Sequence, residues 1–312
     1  MFKKYPSLTN HYHSKDIDYF TTKYGDEMRE VTWQITEKIH GANFSILFTP
    51  NSSPNWFSRN QQITNANFYN CEDLILEYVN KLKIAQNWVN QTNRTFRVFG
   101  ELYGPGIQKG VDYGPERKIR FYDLMIDDML VPQQEFENFF YDHGLGSLMV
   151  PIIGRVGTLE EGLEFDSRFD SKLSTKEGNI CEGIVIKPYE KVFVDSQGSV
   201  FYIKKKNEEF KEKQKVKKER TETQYTEEVN KWHNEFLSYI NKNRAESVFS
   251  KEGEISSFKD IGKYISLIHQ DALDDFNKEH SDDFVREDFT KKELKHIFNS
   301  SKDVVKLLKE YL

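Results

Sequence analysis

Short runs rich in β-branched and aromatic residues dominate the first two thirds of the chain: FRVFGEL at 96–102, IRFYDLMI at 119–126, CEGIVIKP at 181–188 and VFYI at 200–203. Their composition and length predict strands. Residues 72–89 follow another period. Leu74, Ile75, Tyr78, Val79 and Leu82 recur at helical spacing and predict one amphipathic helix. Strands with an inserted helix indicate an α+β domain, not a regular βαβ repeat.

The pattern changes after about residue 208. Residues 208–228 are highly charged and read as a domain junction. Beyond them Val229, Trp232, Phe236, Leu237 and Ile240 share one helical face, and Phe258, Ile261, Tyr264, Ile265 and Ile268 share another. Thr290 with Glu293, and Ser300 with Asp303, have the spacing of capping boxes ahead of apolar stretches. The expected organisation is therefore a domain over 1–228 followed by a small all-helical domain over 229–312.

Composition narrows this picture. With 312 residues, 24 Phe, 16 Tyr and 4 Trp, the chain can bury a sizeable core. Cys71 and Cys181 make neither a disulfide framework nor a zinc quartet, so a reducing cytoplasm is the expected compartment. The N-terminus MFKKYPSLTNHYHSK has no apolar run after its lysines, so no signal peptide is expected. No stretch approaches bilayer length, which predicts no membrane partner. Net charge is −6, yet 204–220 holds nine Lys/Arg against four Glu. For a nucleic-acid partner, distribution matters more than the sum.

The candidate nucleophile lies in EKIHGAN, residues 37–43. A Lys three residues before a Gly also fits a surface lysine near a turn. Context raises the interest: CEGIVIKP supplies Glu182 and Lys187, and FYIKKKN puts Lys204 and Lys206 on one face of a strand. Adjacent ammonium groups repel unless an anion lies between them. A polyphosphate would resolve that repulsion, although an edge strand blunted by lysine gives the same pattern. A lysine amine attacks phosphorus only when neutral, and near its usual pKa about one molecule in 2,500 is neutral at pH 7. Neighbouring cations would increase that fraction and stabilise charge on the transferring phosphoryl group. Glu101 and Glu182 could hold Mg²⁺, its water or a ribose hydroxyl. Tyr122 could stack on a purine or be core, and Arg59 could contact phosphate or sit on the surface. Glu182 and Lys187, five apart, fall on opposite faces of a regular strand, so a bend before Pro188 is expected if both serve one site.

Taken in order, EKIHGAN, SRN, FRVFGELYG, RFYDLMI, CEGIVIKP and YIKKKN resemble the motifs of covalent nucleotidyltransferases, the ATP-dependent ligases and mRNA-capping enzymes. More narrowly the chain resembles the bacteriophage RNA ligase 2 family. MFKKYPSL at the N-terminus, the loop GPGIQKGVDY and the C-terminal DIGKYISLIHQDAL carry that likeness through both expected domains. The resemblance implies a nucleotidyltransferase domain of ATP-grasp-like antiparallel sheets with a helical C-terminal domain that positions RNA ends.

The resemblance also implies a function. Lys38 would be adenylated by ATP with Mg²⁺, and the AMP would activate an RNA 5′-phosphate for attack by a 3′-hydroxyl, preferably at a nick in duplex RNA. Glu37, Lys38, Asn43, Arg59, Glu101, Tyr122, Lys187, Lys204 and Lys206 would bind the nucleotide. His40, Glu182, Lys204 and Lys206 would join Lys38 in catalysis, with Glu182 and Glu101 toward the metal. The protein would act as a monomer in the cytoplasm, that of the host if phage-encoded. Three departures stand out: Thr36 where an arginine is expected, Tyr122 for a phenylalanine, and Lys205 adding charge between two motif lysines.

Overall fold

The computed structural model describes residues 3–63, 68–211, 225–253, 255 and 260–311. The basic run at 212–220, most of the expected junction, and Phe258 of the second helical face lie outside the described residues. The chain forms two compact units, Met1–Glu209 and Phe210–Leu312.

The first unit is α+β, with two five-stranded sheets. In chain order the strands are β1 Thr9–Asn10, β2 Trp33–Lys38, β3 Ala42–Phe48, β4 Asn55–Ser58, β5 Phe96–Tyr103, β6 Lys118–Ile126, β7 Met129–Leu130, β8 Ile152–Val156, β9 Gly183–Pro188 and β10 Ile203–Lys206. One sheet runs β1-β10-β9-β2-β8 and the other β4-β3-β5-β6-β7. Pairing is antiparallel except between β1 and β10.

Alternation gives each sheet one apolar and one polar face. In the first sheet Trp33, Ile35, Ile184, Ile186 and Ile203 pack with Phe20 and Met28 of helix α1 (Ser14–Arg29). The opposite face carries Gln34, Thr36 and Lys38 on β2, Val185 and Lys187 on β9, and Lys204 and Lys206 on β10. In the second sheet Ala42, Phe44, Phe96, Val98, Leu102 and Ile119 pack beneath helices α2 (Glu72–Lys81) and α3 (Lys83–Thr92). The other face carries Asn43, Glu101 and Arg120, in register across β3, β5 and β6. The polar faces meet where Lys187 reaches Asp123.

Three local expectations change. The single helix over 72–89 is two helices broken at Leu82, whose φ of −91° and ψ of 19° leave the helical region. Ile75, Tyr78, Leu82, Ala85 and Val89 stay buried on one side across the break, so the apolar period did not reveal it. The last strand begins at Ile203, with the lysines inside it. Thr290 and Glu293 form their reciprocal cap, whereas the Ser300 side chain makes no cap bond. Its hydroxyl lies 2.9 Å from Nδ1 of His269 instead.

The second unit is helical: α6 Glu227–Leu237, α7 Lys242–Glu252, α8 Ile261–Glu279, α9 Lys291–Ile297 and α10 Ser301–Leu308, with α4 Gln133–Asp142 and α5 Leu159–Glu164 belonging to the first unit. Val229, Trp232 and Phe236 pack around Phe276, and a neighbouring cluster gathers Val248, Phe249, Tyr264, Ile268 and Leu308. No helix among the described residues is long and apolar enough to cross a membrane.

Phe276 is fully buried, with Trp232, Phe236, Phe284 and Phe298 rings at 6.0, 5.7, 5.2 and 5.4 Å. Phe276→Ala is expected to cost the helical unit about 3–5 kcal/mol by removing a large core side chain. Chemical denaturation followed by Trp232 fluorescence measures it.

Candidate active site

The site is assembled from the ends of three adjacent strands. Lys38 closes β2, Gly183 opens β9 and Lys206 closes β10, and the three are in cross-strand register. Glu182, one residue before β9, fills the space between the two lysines. Its Oε2 lies 2.7 Å from Lys38 Nζ and its Oε1 lies 3.0 Å from Lys206 Nζ. His40 Nδ1 stands 3.4 Å from the same Oε2. The Glu182 side chain is only 3% exposed, so its charge depends on these cations. Burial pushes its pKa upward, but Lys38, Lys206 and His40 together overcome that and hold it well below the ordinary value.

Gly183 resolves the parity problem of Glu182 and Lys187. Its φ is +150°, and a Cβ there would come within 2.0 Å of the Lys205 carbonyl oxygen. The chain bends at this glycine, at the start of the strand and not beside Pro188. Glu182 therefore reaches the face that carries Lys38, Lys187 and Lys206. Gly41 has a related role. A Cβ there would lie 2.3 Å from the Leu102 carbonyl oxygen and 2.8 Å from Glu101 Cγ. This lets the turn after Lys38 press against β5, which explains a glycine three residues after the lysine.

The second sheet contributes through a bulge. Phe99 pairs with Asp123 and Gly100 with Phe121, leaving Tyr122 as the extra residue. Tyr122 and Asp123 can then both serve the polar face, which neighbours on a regular strand cannot do. The Tyr122 hydroxyl accepts a hydrogen bond from Asn43 Nδ2. Asp123 is fully buried and pairs with Lys187 at 2.7 Å, while Tyr5 and Gln133 donate to the same carboxylate. Lys187 also donates to the Tyr122 carbonyl at 2.9 Å and lies 5.2 Å from the centre of its ring. Burial pulls Lys187 below its ordinary pKa against the opposing pull of Asp123.

Other sequence-predicted residues find other surroundings. Lys204 shares the Lys206 face, opposite Val185 and beside Asn10. Arg59 follows β4, and one guanidinium nitrogen lies 3.4 Å from Ser7 Oγ. Its charge still acts on Glu101 and Tyr122. Glu37 is not brought to the Lys38 amine. It points to the opposite face, where its carboxylate accepts from Ser171 Oγ at 2.5 Å and Lys172 N at 2.8 Å. Lys205 likewise turns away, donating to the Leu163 and Phe165 carbonyls at 2.9 and 2.8 Å. The charge expected between the motif lysines is therefore spent on the far side of the sheet.

Tyr113 and Gln108 escaped the residue-by-residue reading, although they lie in the quoted loop GPGIQKGVDY. The buried Tyr113 hydroxyl accepts the backbone N–H of His40 at 2.8 Å, and Gln108 Nε2 lies 3.4 Å from the Gly41 carbonyl oxygen. Asn179 ties the same loop to the approach to Glu182 by bonds of 3.0 and 2.8 Å to the Asp112 backbone. The two thiols take no part: burial pushes both Cys71 and Cys181 to about 11.

Among the described residues no group of three or more His, Cys, Asp or Glu is arranged to hold a metal ion. Mg²⁺ often takes one or two carboxylates and completes its shell with water and substrate phosphate, and here Glu101 and Glu182 are the carboxylates on which it would have to draw. Burial raises Glu101 to about 8, with Lys38, Arg59 and Lys206 opposing and Glu182 reinforcing the rise.

A folded-state pKa above the unfolded value makes Glu101 contribute stability that is present below about 4.5 and lost as pH rises through about 8. Glu101→Gln removes that dependence. The melting temperature of the unaltered protein, measured relative to the variant without nucleotide, is expected to fall steadily from pH 5 to 8. A constant difference across that range would show that the Glu101 carboxyl is not held neutral by burial.

The family model described as RNA ligase matches residues 31–206, more than half of the chain. The model described as T4 RNA ligase 2 C-terminal matches residues 223–307. Among solved structures, Naegleria gruberi RNA ligase is similar in several forms. An apo variant is 18% identical over 65% of this chain and 55% of that chain, with a TM-score of 0.47. A variant with ATP and Mn is 16% identical over 66% and 57%, with a TM-score of 0.48. A variant with AMP and Mn is 17% identical over 67% and 57%, with a TM-score of 0.47. The chain thus spans little more than half the length of these structures.

Proposed function

We propose that this chain, which belongs to the RNA ligase family, is an ATP-dependent ligase joining an RNA 3′-hydroxyl to an RNA 5′-phosphate through AMP carried on Lys38. One observation carries the reading: Lys38 Nζ, Lys206 Nζ and His40 converge on a single buried carboxylate, that of Glu182. The arrangement binds an anion readily, because one carboxylate cannot neutralise two ammonium groups. A triphosphate supplies the missing negative charge.

The first step is attack of the Lys38 amine on the α-phosphorus of ATP. A P–N bond forms, the bond to the bridging oxygen breaks, and pyrophosphate leaves. Glu182 orients the amine through its 2.7 Å contact. Its low pKa makes it a poor base, so the amine proton passes to solvent or to the departing pyrophosphate. Lys204 and Lys206 stabilise charge on the phosphate oxygens. Tyr122 stacks on the adenine, and Glu101 and Arg59 contact the ribose. Lys187 joins the phosphate contacts by exchanging part of its pairing with Asp123.

Next, an oxygen of the RNA 5′-phosphate attacks the same phosphorus. The P–N bond breaks, the lysine regains its proton, and the RNA carries a 5′-to-5′ linked AMP. The 3′-hydroxyl then attacks the 5′-phosphorus. It loses its proton, forms the phosphodiester and expels AMP. Glu101 and Glu182 would hold a divalent cation, which supplies neutralisation of phosphate charge. The helical unit, with the basic stretch from Lys204 onward, positions the RNA ends, preferably across a nick in duplex RNA recognised by backbone and 2′-hydroxyls.

Lys38→Ala is the decisive variant. It is expected to take up no radiolabel from α-labelled ATP and to seal no 5′-phosphorylated nick, yet to seal RNA supplied with a pre-adenylated 5′ end. Covalent label on this variant would remove Lys38 as the nucleophile. Preferential labelling by GTP would assign the site to capping-type transfer. Equal sealing of DNA and RNA nicks would remove the RNA preference.

A further inference from the structure

We propose that Arg120 is a further substrate-binding residue, taking a phosphodiester of the RNA strand beside the reacting end. The inference rests on the function proposed above. It starts from the row Asn43–Glu101–Arg120, which crosses β3, β5 and β6 in register and therefore occupies one face of the second sheet. Glu101 lies next to the turn that follows Lys38, since a Cβ on Gly41 would approach its Cγ at 2.8 Å. Arg120 extends the row one strand further, on the strand whose bulge presents Tyr122 and Asp123.

Several cations elsewhere in the described residues are held by carboxylates. Lys187 meets Asp123, Arg155 meets Glu137, and Arg244 meets Asp271 and Asp275. Arg120 is only half-buried on its strand, and no hydrogen bond or ion pair engages its guanidinium among the described residues. Glu101 stands directly opposite it without forming an ion pair. A guanidinium kept partly dry and unengaged beside an active site is a ready anion receptor. Its planar fork matches two phosphate oxygens.

Position separates this phosphate from those of ATP. The lysines proposed for the triphosphate lie on the first sheet with Lys38. Arg120 lies on the second, two strands and about 10 Å from β3, with Glu101 between. An anion there belongs to a chain that extends past the nucleotide, as a polynucleotide does. The residue is also close to Tyr103, whose ring stands 4.8 Å from Tyr113 at 71°. The neighbouring loop over the nucleophile turn thus borders the same path.

The test uses the full chain and a 5′-phosphorylated nicked RNA duplex, with Arg120→Ala and Arg120→Lys compared. RNA affinity by fluorescence anisotropy between 50 and 200 mM salt is read separately from self-labelling with ATP. For Arg120→Ala we expect self-labelling at the unaltered level, RNA affinity lower by about tenfold to a hundredfold, and a log–log salt slope shallower by about 0.7–0.9, one phosphate contact. Arg120→Lys should keep the salt slope and recover part of the affinity. An unchanged salt slope and affinity in Arg120→Ala overturns the assignment. So does a matching loss of self-labelling, which would give the phosphate to ATP. Because RNA binding is read without sealing, a protein that fails to take label from ATP refutes the ligase reading and leaves the Arg120 result interpretable.

Discussion

The structure turns on a charge imbalance around one buried carboxylate. Glu182 is 3% exposed and holds Lys38 and Lys206 on its two oxygens, with His40 beside one of them. Removing the carboxylate would leave two ammonium groups facing each other in a poorly solvated place, a loss on the order of 3–5 kcal/mol for a buried pair that loses one partner. Keeping it leaves an excess of positive charge. The same contacts therefore stabilise the strand ends and predispose them toward an anion. No separate binding element is needed to explain why three strands bring lysines together.

The sheets are arranged to make that economy possible. Each turns an apolar face toward helices and a polar face toward the other sheet, so the interior between them is polar and must be satisfied by pairing. The Lys187–Asp123 pair, with Tyr5 and Gln133 on the same carboxylate, supplies the tie. It fixes the bulge that displays Tyr122, and it fixes β9, which begins one residue after Glu182. The pair thus ties together the two faces that carry Lys38 and Glu101.

This explains what the sequence revealed and what it hid. The parity of Lys204 and Lys206 was readable, because a period of two holds in a regular strand. The turn after Lys38 was recognisable through its glycine. Three features break the local period and so left no trace in it: the bend at Gly183, the extra residue at Tyr122 and the helix break at Leu82. The first two are what converge Glu182, Tyr122 and Asp123 on one site. The ordered motifs could associate those residues by resemblance, but alternation argued against it. Glu37 and Lys205 each neighbour a lysine of the candidate site in sequence, and parity turns both side chains to the other face of the sheet.

Thr36 bears on how much charge the site can hold. It lies on the Lys38 face, 3% exposed, opposite Val185 and between Gln34 and Lys38 in side-chain order. A guanidinium confined there would add a third strong cation beside Lys38 and Lys204, against the single carboxylate of Glu182. A threonine asks nothing of that carboxylate; its hydroxyl lies 3.5 Å from the Val185 carbonyl oxygen. Lys205 spends its charge on backbone carbonyls behind the sheet, so it does not offset the difference. On the Lys38 face of the first sheet the positive charge near the site is therefore that of Lys38, Lys204 and Lys206, with Lys187 held by Asp123 and Arg155 by Glu137. Within the first unit, the second sheet adds cations for a longer anionic substrate: Arg120 stands opposite Glu101, and Arg59 follows β4.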